Sequence, residues 1–182
     1  MTVEVLSEPD SALRIRSLLK ARDGATLLSD YHSNRLMTSS VPVRVGLADA
    51  VGKLEPDEGY ELLATHLRDE VRAVRSSAAV ALGRSTHPLA LNALKSATTD
   101  PEASVRAWVA RGLGGVGSPE VLPSLQMLLN DPDATVRMFA VESLPSVGNN
   151  DAIELARASL GDPKRKVRRA ARRSLRTAGT NS

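Results

Sequence analysis

The stretch DPEASVRAWVARGLGGVGSPEVLPSLQMLLN, residues 100–130, runs directly into DPDATVRMFAVESLPSVGNNDAIELARASLG, residues 131–161. Laid over each other, these 31-residue segments align Asp-Pro with Asp-Pro, Val105-Arg106 with Val136-Arg137, and Leu113 with Leu144. The Val-Arg pair continues outward in both directions, at Val74-Arg75 and Val43-Arg44 and at Val167-Arg168, making five occurrences in one register. A fixed period of this length marks a repeat architecture, in which each unit is one supersecondary element stacked on the next.

Within the unit, the residues four past each Val are Leu47, Ala78, Val109, Ala140 and Ala171, and those eight past it are Val51, Leu82, Leu113, Leu144 and Leu175. Offsets of 0, 4 and 8 share one face of an α-helix. Five residues before the Val stands Asp69, Asp100, Asp131 or Asp162, the last three followed by Pro101, Pro132 and Pro163. Asp then Pro reads as a helix start, with the carboxylate capping free N–H groups and Pro fitting the first turn. Gly52, Gly83 and Gly114, nine past the Val, read as helix-stopping residues that can take a left-handed backbone, and Gly117, Gly148 and Gly179 fall in the connection. A second apolar stripe keeps the same register: Tyr60, Leu91, Leu122 and Ile153, then Leu63, Leu94, Leu125 and Ala156.

Each unit is therefore a helix A, a short Asp-Pro turn, a helix B and a Gly-containing link. Helix A is predicted at 57–68, 88–98, 119–130 and 150–160, with Pro88 and Pro119 opening two of them. Helix B is predicted at 70–83, 101–114, 133–145 and 163–177. Residues 41–53 read as a helix B with its partner at 25–36, and 10–22 as a further amphipathic helix carrying Leu13, Leu18 and Leu19. Residues 1–40 leave the register and are expected to form an N-terminal helical cap on one continuous solenoid over 41–182. The fold class that follows is all-α, an α-solenoid of about five helical pairs with the B helices on the concave side.

The two quoted segments resemble HEAT-like repeats of the short type first described in phycobilin lyases, and the resemblance covers about residues 41–179. It implies a solenoid in which Asp and Arg form a ladder between units, Asp69, Asp100, Asp131 and Asp162 facing arginines of an adjacent repeat. Such repeats occur in lyase subunits, scaffolds, adaptors and regulators alike, so a shared fold names no reaction. Tetratricopeptide and ankyrin repeats have nearby periods but different motifs.

The 182-residue chain contains no cysteine, which excludes disulfides and thiol chemistry. No stretch approaches the roughly 20 apolar residues of a membrane span, and the N-terminus does not read as a secretion signal. A cytoplasmic location and no membrane partner are expected. His32, His66 and His87 fall in different elements without metal-ligand spacing, and GLGGVGSPE at 112–120 joins two helices rather than cradling phosphate. No catalytic residue, metal or cofactor is expected.

Two surfaces are candidates for partner binding. On the concave face, Trp108 and Phe139 stand three residues past their Val, with Arg111 and Met138 nearby on the same helices, and Arg75, Arg106 and Arg137 are the ladder arginines of three successive B helices. The two rings either fill space between B helices or anchor a partner; the period-locked arginines either stack the units or touch a ligand. The second surface is basic. Residues 163–182 carry Lys164, Arg165, Lys166, Arg168, Arg169, Arg172, Arg173 and Arg176 and no acid, leaving 16 basic against 21 acidic residues before them. This end is either a polar cap, which keeps a solenoid soluble, or a docking patch for an acidic protein or nucleic acid. No aromatic residue is interleaved with these cations, so stacking on single-stranded bases has no support.

Three function classes follow: a non-enzymatic interaction scaffold or adaptor, a nucleic-acid-binding protein, and an enzyme or enzyme subunit such as a chromophore lyase component. A DNA glycosylase-like enzyme needs a basic concave cleft with placed aromatic and acidic groups, and here the chain before its basic end is acidic.

Overall fold

The computed structural model describes residues 4–36, 38–54 and 57–179. Local capping sets the first elements. Ser7 caps α1 (Glu8–Ala21) by accepting the Asp10 N–H at 3.3 Å, with Pro9 in the first turn. Arg22, in the left-handed region at φ 57°, ends that helix, and Asp23 caps α2 (Gly24–His32) through the Thr26 N–H at 3.0 Å. From there the chain alternates long and short helices: α3 (Val41–Leu54), α4 (Tyr60–His66), α5 (Arg72–Leu82), α6 (Ala90–Ser96), α7 (Ala103–Val116), α8 (Leu122–Leu129), α9 (Ala134–Ser143), α10 (Asn150–Ala158) and α11 (Arg165–Gly179). No strand occurs among the described residues. Single turns of 3₁₀ helix extend or open four of these elements, at Ala97–Thr99, Pro119–Val121, Leu144–Ser146 and Ser159–Gly161.

The predicted helices are present. The B helices are α3, α5, α7, α9 and α11; the A helices are α4, α6, α8 and α10, shorter than predicted because a terminal turn tightens to 3₁₀ (the first in α8, the last in α6 and α10) or is not helical. Each B helix packs chiefly on the B helices before and after it, and far less contact joins successive A helices. The B helices thus form the closely packed layer of the stack and the A helices the looser one.

The Val, the residue four past it and the residue eight past it form the seam between layers. Val105, Val109 and Leu113 are fully buried, as are Val74, Ala78 and Leu82. Leu63, Leu94 and Leu125 meet them from the A helices, and one apolar core runs from Ile15 to Ala156. A smaller cluster of Val141, Val167, Ala170 and Ala171 joins α11 to α9.

Two readings of the unit are corrected. The Asp of each Asp-Pro turn does not cap helix B. Asp100 Oδ1 accepts the N–H of Glu102, two residues on, and α7 begins only at Ala103; Asp69, Asp131 and Asp162 do the same for Val71, Asp133 and Lys164. Capping falls two residues later where it occurs, on Asp133, which accepts from Thr135 and Val136. Nor do Gly52, Gly83 and Gly114 stop helices with a left-handed backbone: Gly52 and Gly114 lie inside α3 and α7, and Gly83 is right-handed. They admit the next B helix at close range, and a Cβ on Gly83 would stand 2.6 Å from the Cα of Gly112. The left-handed turns belong to the connections, at Gly117 (φ 65°) and Gly148 (φ 69°). Gly179, placed with them by register, is the last residue of α11.

Candidate functional site

The Arg of each Val-Arg pair lies one step round the helix from the core face, directed at the next unit. Arg75 shows the arrangement. Its Nη1 donates to the carbonyls of Asp69 and Glu70, in the turn of its own unit, at 2.8 and 3.0 Å. Its Nε and Nη2 then form a fork on the carboxylate of Asp100 in the following unit, at 2.7 and 3.1 Å. Arg44 takes Asp69, Arg106 takes Asp131 and Arg137 takes Asp162 in the same way. Each carboxylate receives both nitrogens of the fork and a backbone N–H of its own turn, so a charge buried in the seam is fully hydrogen-bonded. The Arg137 guanidinium beside Asp162 holds its carboxyl below the usual carboxylate range, and the aspartates raise the basicity of Arg75, Arg106 and Arg137.

The ladder removes three residues from the candidate binding set. Arg75, Arg106 and Arg137 have side chains 12%, 14% and 13% exposed and are committed to the rungs. Met138 is also half-buried, packed with Val141, Val167 and Ala170 in the seam against α11. Three members of the concave set come together. Trp108, 36% exposed, packs tilted on Phe139 with ring centroids 5.5 Å apart, and the Arg111 guanidinium lies over the indole at 5.7 Å. A cation over the face of an exposed indole is attracted to the ring by about 0.5–1 kcal/mol. Beside it opens a shallow groove of about 420 Å³, lined by Val45, Asp49, Arg72, Ser77, Val80 and Trp108.

The basic residues of α11 divide by direction. Lys166 donates to Thr135 Oγ1 at 2.7 Å, and Arg173 pairs with Glu142, so both lean back over α9. Arg165, Arg169, Arg172 and Arg176 are spaced as one helical stripe, all exposed, with no hydrogen bond or ion pair to any described residue. Lys164 is exposed at the start of the helix.

Arg168 keeps the ladder anchorage, its Nη1 donating to the carbonyls of Asp162 and Pro163 at 2.7 and 2.9 Å. Two features were missed in the sequence reading. Ser85 and Thr86, with the N–H of His87, converge on the carboxylate of Asp57, whose pKa they lower to about 2. Thr86 stands where later links carry Gly117 and Gly148, and the Asp57 side chain fastens this link in place of the glycine turn. His66 is buried with Nδ1 unpaired among the described residues, and burial lowers its pKa. No group of three His, Asp or Glu side chains among the described residues is placed to hold a metal. A cleft of about 220 Å³ between α10 and α11, lined by Leu144, Ile153 and Leu175 together with Asn149, Asn150 and Ser174, carries no titratable side chain.

A two-layer stack of helical pairs pinned by arginine–aspartate rungs is an α-solenoid. The family model of HEAT repeats matches residues 33–104 and 94–176, and the chain belongs to that family. No curated protein matches it. Among solved structures, it is similar to a chain in the complex of CpcE and CpcF of phycocyanin lyase from Nostoc sp. PCC7120, with 25% identity and a TM-score of 0.65. That match covers 79% of this chain and 62% of the other, so the chain spans less than two thirds of its relative. An engineered protein is similar at 19% identity and TM-score 0.63, covering 98% of this chain and 96% of that one. A designed armadillo repeat protein solved with a (KR)4 peptide has 13% identity and TM-score 0.54, covering 95% and 100%.

Proposed function

We propose that the protein is a non-enzymatic scaffold or adaptor that holds another protein on its concave face and through its basic C-terminal helix. In this reading residues 1–40 cap a solenoid over 41–182, the chain works in the cytoplasm, and the partner presents an acidic surface. The terminal residues 1–3 and 180–182 of these two parts lie outside the described residues. The observation that carries the reading is Trp108: a large aromatic side chain, oriented by Arg111 and Phe139 and left exposed beside a groove. Rigid, partly exposed aromatic residues dominate protein interfaces. The phycocyanin lyase relative was solved as a complex of two components, which supports a protein partner. No helix among the described residues is long and apolar enough to cross a membrane.

The test uses the single Trp of the chain as its own reporter. A partner isolated from the native cell and titrated into the protein shifts the Trp108 emission, and a Trp108→Ala, Arg111→Ala variant loses that partner while keeping its melting temperature within a few degrees. Undiminished affinity in the variant removes the concave face from the proposal. A second reading, a subunit of a chromophore lyase-type enzyme, draws on the similarity to phycocyanin lyase. It predicts a shift in the visible absorption of an open-chain tetrapyrrole on mixing with the protein, and a spectrum unchanged from the free pigment's sinks it. Nucleic acid binding has only net charge in its favour, and a steep loss of affinity with salt is its signature.

A further inference from the structure

The charges of α3, α5, α7 and α9 show what the face around Trp108 lacks. Arg44, Arg75, Arg106 and Arg137 are the ladder arginines, each forked on an aspartate. Of the other cations in these helices, Lys53 holds Asp49 at 2.6 Å and Arg72 faces Glu102 at 3.9 Å. Arg111 alone has no carboxylate among the described residues; its exposed guanidinium lies over the Trp108 indole. The acids are fully matched. Inside these four helices they are Asp49 and Glu142, paired with Lys53 and Arg173. One charge is left unanswered, and it is a cation beside an exposed aromatic ring.

The groove beside that ring is open and mostly apolar. The register position of Trp108 is Ser77 on α5 and Gly46 on α3, so the indole stands next to small residues. A Cβ on Gly46 would meet nothing within 4 Å, and half-buried Val45 and Val80 contribute to the lining. Helix α1 packs outside α3 and α9 outside α7, so the groove lies within the stack. An extended chain points side chains two residues apart in one direction, about 6–7 Å from each other. That spacing matches the 5.7 Å between the Arg111 guanidinium and the centre of the indole. One short segment can therefore rest an apolar side chain on the ring and bring a carboxylate to Arg111.

We propose that the groove beside Trp108 receives an extended acidic segment of a partner protein. One apolar residue of that segment packs on Trp108 and Val80, and an Asp or Glu two residues away pairs with Arg111. The inference rests on the scaffold reading and names the chemistry that its concave face recognises. Protein is favoured over nucleic acid because the groove is lined by valines and carries Asp49, a like charge in the path of a phosphate backbone. A single carboxylate beside an apolar side chain needs only the one free cation that this face offers.

The experiment uses the full chain and a capped, fluorescein-labelled peptide in which leucine and glutamate alternate two residues apart with serine between them, followed by anisotropy at low salt. Trp108→Ala weakens the peptide about tenfold. Arg111→Gln weakens it about fivefold, and so does a peptide with glutamine for glutamate. The two changes together cost no more than either alone, because they remove the same pair. Arg157→Gln removes the same charge from α10 and changes affinity by less than about twofold. Melting curves of the variants confirm that they are folded. The proposal is overturned if the peptide does not bind, if the glutamine peptide binds as the parent does, or if the Arg111 and glutamate losses add. It is also overturned if oligodeoxythymidylate binds more tightly with the same dependence on Arg111. Any of these results with Trp108-dependent binding of the native partner intact removes the carboxylate site and leaves the scaffold reading standing. Loss of that partner dependence removes the concave face itself.

Discussion

Helices α7 and α11 hold the same place in their units and share a core face, Val105 and Val109 in one, Val167 and Ala171 in the other, all buried. Their faces toward the following unit differ completely. One is a strip of Ala and Gly against which α9 packs, and the other is a strip of four arginines facing outward. A repeat thus has two independent chemistries, one for pairing its own helices and one for meeting its neighbour. Only the first is carried unchanged to the last unit.

The strongest way to break this comparison is to exchange the faces. Ala110→Arg places a long cation where no part of the residue is exposed. It should destabilise the stack by several kcal/mol, since overpacking and burial of an unpaired charge add. Arg172→Ala, the same position on α11, should change stability by no more than about 0.5 kcal/mol. Denaturant titration of both variants tests the pair; equal losses would show that the end face is as packed as the interior.

The rungs offer the next contrast. Arg106→Ala leaves Asp131 nearly buried without its fork and should cost about 1–3 kcal/mol. Arg168→Ala strands no carboxylate and should cost less than about 1 kcal/mol. If the two losses match, the fork adds nothing and the carbonyl anchorage alone stabilises the turn.

Smaller effects come from pH. Asp57 titrates at about 2 in the folded chain against 3.8 for the free group, so the stability it contributes is complete above pH 3.8 and disappears as pH falls toward 2. Asp162 has the same sign, its folded pKa also being lowered. His66 is a base with a lowered pKa: the unfolded chain takes up the proton first, so stability is full above its ordinary 6.5 and declines as pH falls through the folded value. The melting temperature should fall on acidification below pH 6.5 and again below about 4. His66→Gln should flatten the first decline and Asp57→Asn the second. The smallest expected change is in Arg165→Gln, Arg169→Gln, Arg172→Gln, Arg173→Gln, which should leave the fold within about 1 kcal/mol and lower affinity for an acidic partner together with its salt dependence.

Much of the architecture was legible because the Val-Arg register and the apolar residues four and eight past it mark one helical face whatever the surroundings. The rungs were legible as a family pattern from the Asp-to-Arg spacing. What escaped was direction. Arg106, Arg137 and Met138 sit on the same helices as Trp108 and Phe139, and Arg75 on the B helix before them, but at angles that turn them into the seams. The role of Asp57 escaped because its partners lie 28 to 30 residues away in another link. The glycines at 52, 83 and 114 were read as helix ends because a glycine needed for close approach and one needed for a left-handed turn look alike in a sequence.

By itself the sequence determined the helical pair, its period and the stacking of like on like, since periodic burial is a property of spacing along one chain. The tertiary structure alone decided which edge of each ladder arginine is satisfied and that Trp108, Phe139 and Arg111 meet at one exposed patch. Both depend on the angles at which successive helices pack, and only packed coordinates specify those.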